Sequence, residues 1–412
     1  MRLSSLALLT LIGCTGTAEP DPSDDGTDTD PPLITFDTDD STTEDTSSTD
    51  TDYTPTVTDA NWFRADDASP GTMQGGADMA IAPDGSLLVS WVGTDDDIHL
   101  VRSTDGGASF SASVVVDGPE DPIVDWWSGP ALSTDGTSII LVSPARDDVG
   151  LRGYVWRGDL NTLTFQPGQW YGDGLVEMIA AGLAPDGDLW VSWLEYDGGA
   201  QVMLANSTLG YGGTNVNNAL GTPSCECCHI DLMFSSDAKP LLAWRDNDMN
   251  IRNIAVASGA PGAQSVANQV VATNTDWLTF TCPVQGPKIA QTQDGNYLVA
   301  WSDDSTGSSK VWTVSSSDFV NWSEESDVAP DQPGRVQSPR VVVADSGRVY
   351  LAFAQPGSYW IQYSDDHGAS WSAPEEQEIG GLPVDRLDIA AGAGQLWLEG
   401  ESNGQVWIKQ LE

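Results

Sequence analysis

The stretch Ala82-Pro-Asp-Gly-Ser-Leu-Leu-Val-Ser-Trp91 decides the fold, because versions of it recur along the chain. Each version is a tight turn followed by an apolar strand. The seven copies are APDGSLLVSW (82–91), STDGTSIILV (133–142), APDGDLWVSW (184–193), SSDAKPLLAW (235–244), TQDGNYLVAW (292–301), ADSGRVYLAF (344–353) and AGAGQLWLEG (391–400). Their turn positions, here called the anchors, are Gly85, Gly136, Gly187, Ala238, Gly295, Gly347 and Gly394, spaced by 51, 51, 51, 57, 52 and 47 residues. So regular a period predicts a repeat architecture.

Each unit has an alternating strand before the anchor and a second strand after it. Six residues past the anchors stand Trp91, Val142, Trp193, Trp244, Trp301, Phe353 and Gly400, so five of the seven units carry an aromatic in one register. A β-propeller needs such a residue, because each small sheet must bury one face against the next. The sequence therefore predicts an all-β propeller of four-stranded antiparallel blades, with these aromatics in the core.

The last unit has room for only three strands before the chain ends. The segment Asn61-Trp-Phe-Arg64 precedes the first full unit and can supply the fourth strand, which would close the ring and remove the exposed sheet edges. We expect seven blades. Six blades remain the alternative if one weak unit is irregular.

A second motif follows the third strand of some units. Ser103-Thr-Asp-Gly-Gly-Ala-Ser-Phe110 and Ser364-Asp-Asp-His-Gly-Ala-Ser-Trp371 resemble the Asp-box (BNR repeat) of sialidase-like propellers, and residues 316–322 are a weaker copy. In this motif Asp and Ser side chains bond the turn backbone while the aromatic packs into the sheet. The matching positions are Ser103, Asp105, Gly107, Phe110, Ser364, Asp366, Gly368 and Trp371. The resemblance implies a sialidase-like propeller with these turns on the face opposite the usual site.

The N-terminus is a targeting segment. A short apolar run from Leu3 to Ile12 is typical of an export signal, since a membrane span needs about 20 apolar residues. Its ending, Leu11-Ile-Gly-Cys14, resembles a bacterial lipobox, which implies cleavage after residue 13 and a lipid on Cys14. Residues 14–58 are rich in Asp, Thr, Ser and Pro and predict a disordered linker. The predicted organisation is a signal peptide (1–13), a lipidated linker (14–58) and the propeller (59–412), anchored at the bacterial outer membrane or cell surface.

The charge of the chain excludes one class of partner. The formal net charge is −45, and residues 61–412 alone hold 47 acidic and 15 basic residues. Nucleic acid binding needs a basic face, so no nucleic acid partner is expected. We expect the membrane, through the lipid, and a glycan or protein ligand.

The topology of a propeller blade indicates where that ligand would bind. The anchor turns and Asp-box turns share one face, so the other face carries the loops around the mouth of the central channel. The candidates there are Asp125, Trp126, Trp127, Tyr171, Glu177, Cys225 to His229, Arg245, Asp246, Trp277, Arg335 and Arg386.

Four cysteines lie in two of these loops, and residues 225–301 resemble a pattern of exported bacterial sialidase-like proteins. An oxidising compartment favours disulfides. Cys227–Cys228 would form a strained eight-membered ring and Cys225–Cys227 a tight loop, so we prefer Cys225–Cys228 with Cys227–Cys282. The alternative is a zinc or copper site formed by Cys225, Cys227, Cys228, Cys282 and His229.

The resemblance to sialidases also implies a set of roles. Sialidases grip a carboxylate with three arginines and use an aspartic acid with a Tyr–Glu pair. An Arg-Ile-Pro motif usually stands near their start, whereas this chain has Phe63-Arg-Ala-Asp66. The ligand-binding candidates are Arg245, Arg252, Arg335, Arg386, Trp126, Trp127 and Trp277, with Arg340 as a further arginine, and the catalytic candidates are Asp125, Glu177, Asp246 and Tyr171. Internal ion pairs of Arg245 and Arg252 remain the alternative.

Three function classes stay open. The departure from the sialidase pattern favours a surface-displayed propeller that binds a glycan or protein ligand at the channel mouth. The alternatives are an exo-acting glycoside hydrolase of sialidase type and a metal site at the cysteines. No cofactor is expected, although Asp95 to Asp97 and Asp303-Asp304 could bind calcium.

Overall fold

The computed structural model describes residues 62–66, 73–116, 121–122, 129–146, 150–172, 176–196, 199–281, 283–329, 336–355, 358–379, 386–402 and 404–411. The chain divides into two compact units, Met1–Thr56 and Val57–Glu412, and all of these residues belong to the second. The predicted signal peptide, Cys14 and the whole linker lie outside them, so these remain predictions. Among the described residues, no helix has the length and apolar character needed to cross a membrane.

Seven antiparallel sheets form the blades of a β-propeller, as predicted. The strand β1 (Trp62–Arg64) comes first in the chain. Blade 1 contains β2 (Met73–Ile81), β3 (Leu87–Gly93), β4 (Ile98–Ser103) and β5 (Val114–Val116), and blade 2 contains β6 (Asp121–Pro122), β7 (Ala131–Thr134), β8 (Ser138–Arg146), β9 (Leu151–Asp159), β10 (Thr164–Phe165) and β11 (Gln169–Tyr171). Blade 3 contains β12 (Val176–Leu183), β13 (Leu189–Tyr196), β14 (Ala200–Ala205) and β15 (Thr214–Asn215). Blade 4 contains β16 (Asp231–Phe234), β17 (Pro240–Arg245), β18 (Ile254–Ser258) and β19 (Asn268–Val271). A short 3-10 helix, Asn217–Ala219, follows β15.

Three more blades complete the ring. Blade 5 contains β20 (Lys288–Gln291), β21 (Tyr297–Asp303), β22 (Lys310–Ser316) and β23 (Ser326–Asp327), and blade 6 contains β24 (Gln337–Val343), β25 (Val349–Gln355), β26 (Ser358–Ser364) and β27 (Glu375–Gln377). Blade 7 contains β28 (Arg386–Gly392), β29 (Gln395–Ser402) and β30 (Gln405–Gln410). In blade 2 the inner strand is split into β6 and β7, and the outer strand into β10 and β11.

The N-terminal strand closes the ring, as predicted. β1 pairs with β30 and becomes the fourth strand of blade 7, with Phe63 opposite Ile408. The indole of Trp62 is buried and donates a hydrogen bond to the Glu378 carbonyl at 2.9 Å. Strands from the two ends of the propeller unit therefore share one sheet.

The core consists of seven apolar clusters, one at each interface between neighbouring blades. The aromatics six residues past the anchors are buried in these clusters, which confirms their predicted place in the core: Trp91, Trp193, Trp244, Trp301 and Phe353. Each of them faces the preceding blade. Burial of side chains this large dominates the energetics of packing, so the repeat itself specifies the ring.

The two predicted Asp-box hairpins have closely matching hydrogen bonds. Asp105 accepts from the Ser109 amide at 2.9 Å, and Ser103 Oγ accepts from the Gly107 amide at 2.9 Å. The hairpin of residues 364–371 repeats both bonds at 2.8 Å. Their membership of the Asp-box class remains a prediction.

Candidate functional site

A cavity of about 610 Å³ occupies the centre of the ring and is lined by the inner strands of all seven blades. Each inner strand runs toward its anchor turn, so the first residues of these strands lie at the opposite face. The sequence predicts that the ligand binds at that opposite face.

Charged side chains recur at one level of the channel. Five residues past each anchor, the second strand of a blade has a residue that pairs directly with a residue on the inner strand. These inner-strand partners are Asp78, Leu132, Ala180, Asp231, Lys288, Arg340 and Asp388. Five of the seven are charged, and all five line the cavity. We call Asp78, Asp231, Lys288, Arg340 and Asp388 the charged ring. Blades 2 and 3 have Leu132 and Ala180 at this level, so the fold itself does not require a charge there.

Ion pairs connect neighbouring members of the charged ring. Lys288 Nζ lies 2.9 Å from Asp231 Oδ1, and the Ile289 amide donates to the other oxygen of Asp231 at 2.8 Å. Arg340 Nε lies 3.3 Å from Asp388 Oδ1. Each pair joins two adjacent blades, so the charges are held in a fixed arrangement.

Further carboxylates gather where blade 7 meets blade 1. We call Asp78, Asp388, Glu399 and Glu401 the carboxylate cluster; Arg386 lies among them. Arg386 Nε is 3.9 Å from Glu401 Oε1, which also accepts a hydrogen bond from the Ala77 amide of blade 1. The carboxyl groups of Asp78 and Asp388 are hydrogen-bonded to each other.

The environment moves the pKa values of this cluster in opposite directions. Burial, followed by the charge of Asp388, raises the pKa of Asp78 well above its usual range. Burial also opposes ionisation of Asp388, but the hydrogen bond with Asp78 and the charge of Arg340 outweigh it and lower the pKa of Asp388. The pair therefore favours a proton on Asp78 and an ionised Asp388.

Three residues that the sequence suggested for the site line the cavity, namely Arg386, Arg340 and His229. Burial works against the charge of Arg386, but the surrounding carboxylates outweigh it and raise the pKa of Arg386. The buried Nη1 of Arg386 has no hydrogen-bond partner among the described residues. Arg386 is thus a cation at the channel with an unused donor. Asp125, Trp126, Trp127 and Arg335 lie outside the described residues.

Arg245 does not reach the cavity, contrary to the prediction of a ligand-binding role. Its Nε, Nη1 and Nη2 donate to the backbone carbonyls of Gln285, Arg252 and Ser302 at 3.1, 3.2 and 2.9 Å. The side chain has no exposed surface, and burial lowers the pKa of Arg245 to about 10. Trp277 is buried against it, with the ring centroid 5.2 Å from the guanidinium carbon, and offers no sugar platform.

Arg252 forms the internal ion pair that was the alternative. Its Nη1 lies 3.1 Å from Glu226 Oε2 in the cysteine loop, and its side chain is buried. Arg252 therefore ties that loop to blade 4 and is not among the residues that line the cavity.

The predicted catalytic residues Tyr171, Asp246 and Glu177 also lie away from the cavity. Tyr171 packs between blades 2 and 3 against Trp193, and burial raises the pKa of Tyr171 to about 12, which does not suit a nucleophile. Asp246 is buried and accepts a 2.7 Å hydrogen bond from the Thr222 hydroxyl; burial raises the pKa of Asp246. Glu177 accepts from the hydroxyl of Tyr196 at 3.4 Å, a pairing that the sequence analysis missed.

The cysteine loop contains the first of the two preferred disulfides. Cys225 and Cys228 are joined, and both are buried. Cys227 is disulfide-bonded too; its expected partner Cys282 lies outside the described residues, so that pair remains a prediction. A zinc or copper site would require free thiolates at Cys225 and Cys228, which this disulfide removes.

The acidic loops considered for calcium use their carboxylates internally. Asp303 accepts hydrogen bonds from the indoles of Trp301 and Trp312 at 3.0 and 2.8 Å and from the hydroxyl of Ser305 at 2.7 Å. Asp95 contacts His99 Nε2 at 2.9 Å. These two carboxylates are already satisfied by protein groups, and the calcium prediction lacks support from this geometry.

The repeat contains a sequence signal for carboxylates such as Glu399, which were not among the predicted site residues. The position five residues past the anchors holds Ser90, Leu141, Ser192, Ala243, Ala300, Ala352 and Glu399. A glutamate in a core register of small or apolar residues is an exception that points to function. The charged ring, whose members pair with this position, also departs from the apolar residues expected in a core and points to function in the same way.

No protein-family model matches the chain, and no curated protein matches it. Solved structures of similar fold do exist. An α-L-arabinanase from Penicillium chrysogenum complexed with arabinobiose has a TM-score of 0.50 and 13% identity, covering 85% of this chain and 96% of that one. A PL25 ulvan lyase bound to -[GlcA(1-4)Rha3S]- has a TM-score of 0.53 and 10% identity, covering 82% and 93%. A leech intramolecular trans-sialidase has a TM-score of 0.43 and 12% identity, covering 85% and 69%, and no argument is based on it.

Proposed function

We propose that the propeller binds an anionic saccharide in the central cavity, with Arg386 and Arg340 holding the carboxylate of the sugar. The charged ring carries this proposal. Blades 2 and 3 build the same sheet without a charge at that level, so a blade does not need the charges that the other five blades carry there. The side chains of the charged ring are partly buried and so lose hydration, a loss that a bound ligand of opposite charge would help to offset.

The distribution of basic residues supports an anionic ligand. Only 15 of the residues in 61–412 are basic, against 47 acidic ones, yet Lys288, Arg340 and Arg386 all line one cavity. Guanidinium groups bind carboxylates bidentately, and Arg386 has a donor that finds no partner within the part of the chain that the structure describes. The similar folds of an arabinanase with arabinobiose and an ulvan lyase with a glucuronate-containing saccharide add support for a carbohydrate.

The test is a binding measurement on the purified full chain with a panel of acidic and neutral oligosaccharides. We expect binding to acidic members, with affinity reduced at least about tenfold by Arg386→Met because a charge-assisted contact is lost. Arg348→Met is the matched control, since Arg348 sits at an anchor turn, paired with Asp365. Equal binding of acidic and neutral sugars, or no effect of Arg386→Met in a folded protein, would contradict the proposal.

A glycoside hydrolase is the second candidate, and one observation favours it. Asp78 and Asp388 are adjacent carboxyl groups whose pKa values move apart, as is common for an acid and base pair. Fluorogenic glucuronides, sialosides and arabinosides would reveal turnover, which Asp78→Asn should abolish in an enzyme.

We also propose that the propeller is displayed at the bacterial surface through a lipid on Cys14. The apolar export signal and the lipobox-like ending support this part. Metabolic labelling with a fatty acid should mark the wild-type chain and not Cys14→Ser.

A further inference from the structure

Glu399 carries a buried carboxyl group between blades 7 and 1. Its side chain has no exposed surface, and neither carboxylate oxygen has a hydrogen-bond partner among the described residues. Along β29, Trp397, Glu399 and Glu401 point to the same side because side chains alternate on a strand. Trp397 packs in the cluster between blades 7 and 1, and Glu401 accepts from the Ala77 amide of blade 1. Glu399 therefore points into the cleft that holds Asp78.

The charged groups around Glu399 do not balance. Those that face it from the described elements are Glu401 on the same strand, Arg386 and Asp388 on β28, and Asp78 on β2. Arg340 of blade 6 pairs with Asp388 behind them. With every group ionised, four carboxylates would face two guanidinium groups, and Lys288 is already paired with Asp231. Burial, reinforced by the charges of Glu401 and Asp388, raises the pKa of Glu399 well above its usual range.

The two excess negative charges have different sites for their protons. Asp78 has Asp388 beside it as a hydrogen-bond acceptor for its proton. Glu399 has no such acceptor, so its protonation responds to the net charge around it. A ligand carboxylate at Arg386 would add one negative charge to this cluster.

We propose that Glu399 is a proton-binding site and that the channel binds a carboxylate ligand together with the proton on Glu399. The ligand half of this inference rests on the proposed function, and the proton half does not. Deprotonation of Glu399 places a charge beside Arg386, where it competes with the incoming carboxylate. The ligand class is thus a carboxylated sugar taken up with one proton.

The sign of the pH dependence follows from this coupling. Binding is strong while Glu399 is protonated and weakens once the pH passes the pKa of Glu399 in the free protein. For one linked proton, Kd rises about tenfold per pH unit above that point. Glu399→Gln keeps a neutral side chain of the same shape, so its Kd should stay constant over the same range.

The experiment is calorimetric titration of the full chain with methyl β-D-glucuronide across pH, in pairs of buffers that differ in ionisation enthalpy. Above the pKa of Glu399 in the free protein, we expect uptake that approaches about one proton per ligand in the wild type and no uptake in Glu399→Gln. The matched control is Glu195→Gln, a glutamate on the second strand of blade 3 that does not line the cavity and accepts from the Trp193 indole. Glu195→Gln should behave as the wild type.

A measurement without ligand tests the proton half separately. Carbon NMR of glutamate carboxyl groups should show one wild-type group whose pKa lies well above the ordinary value of about 4.3. That signal should be missing in Glu399→Gln. Its absence from the wild type would overturn the proton site.

The outcomes separate the two proposals. Glucuronide binding without proton uptake, or with equal uptake in Glu399→Gln, overturns the inference and leaves the proposed function standing. No binding at any pH, with the high-pH glutamate present, contradicts the proposed function and removes the ligand half of the inference.

Discussion

Arg245 shows how a buried cation can serve structure alone. Its three guanidinium nitrogens donate to carbonyls from the loop before blade 5, from blade 4 and from the end of β21, so one side chain joins two blades. The side chain lies directly after the core strand residue Trp244. The sequence predicted a ligand contact for Arg245 because this arginine falls near the channel mouth. Its actual partners are backbone carbonyls, which no sequence pattern identifies.

Replacement of Arg245 should destabilise the fold. Arg245→Met removes the donors of three buried carbonyls, each costing about 1–3 kcal/mol when left unpaired. We expect a loss of at least about 2 kcal/mol in the free energy of unfolding, measured by urea denaturation. Arg348→Met, at an exposed pair with Asp365, should leave the midpoint unchanged. An unchanged midpoint for Arg245→Met would contradict the structural role.

At the scale of elements, the anchor turns all use the left-handed backbone region. The φ angles of the seven anchors lie between 64° and 90°, and Ala238, at 64°, is the exception to glycine. A residue with a Cβ pays about 1–2 kcal/mol in this region. Turn chemistry is local, so the sequence predicted these turns and the strands around them correctly.

Ala238→Gly should therefore stabilise the protein. The free energy of unfolding should rise by roughly 0.5–1 kcal/mol, because relief of backbone strain is partly offset by the greater entropy that glycine gives the unfolded chain. Gly187→Ala is the reverse change at an open position, since a Cβ there would meet nothing within 4 Å. It should destabilise by a similar amount in thermal unfolding. Stabilisation by Gly187→Ala would contradict this account of the turns.

At the scale of the whole molecule, ring closure creates the candidate site. Asp78 and Asp388 are 310 residues apart in the sequence, and their carboxyl groups meet because blade 7 packs against blade 1. The repeat predicted the ring, the interblade aromatics and the closing strand. The sequence pointed to Arg386, Arg340 and His229, which line the cavity. It did not indicate Asp78, Asp388 or Glu399, because the predicted sites lay in the loops and these carboxylates lie on strands.

The closing strand should matter for stability. Removal of residues 1–56 leaves the propeller unit complete, whereas removal of residues 1–64 also deletes β1 and the buried Trp62. The loss of a buried tryptophan and the exposed edge of β30 should lower the melting temperature by about 5 °C or more. Differential scanning calorimetry of the two truncations checks this. Equal melting temperatures would contradict closure by β1.

The most direct test of the central claim is a crystal structure of the full chain with a bound glucuronate-containing oligosaccharide. We predict that the sugar lies in the central cavity with its carboxylate within about 3 Å of the guanidinium nitrogens of Arg386 or Arg340. A saccharide bound only elsewhere, such as at the exposed Trp170 on the outer strand of blade 2, would contradict the account.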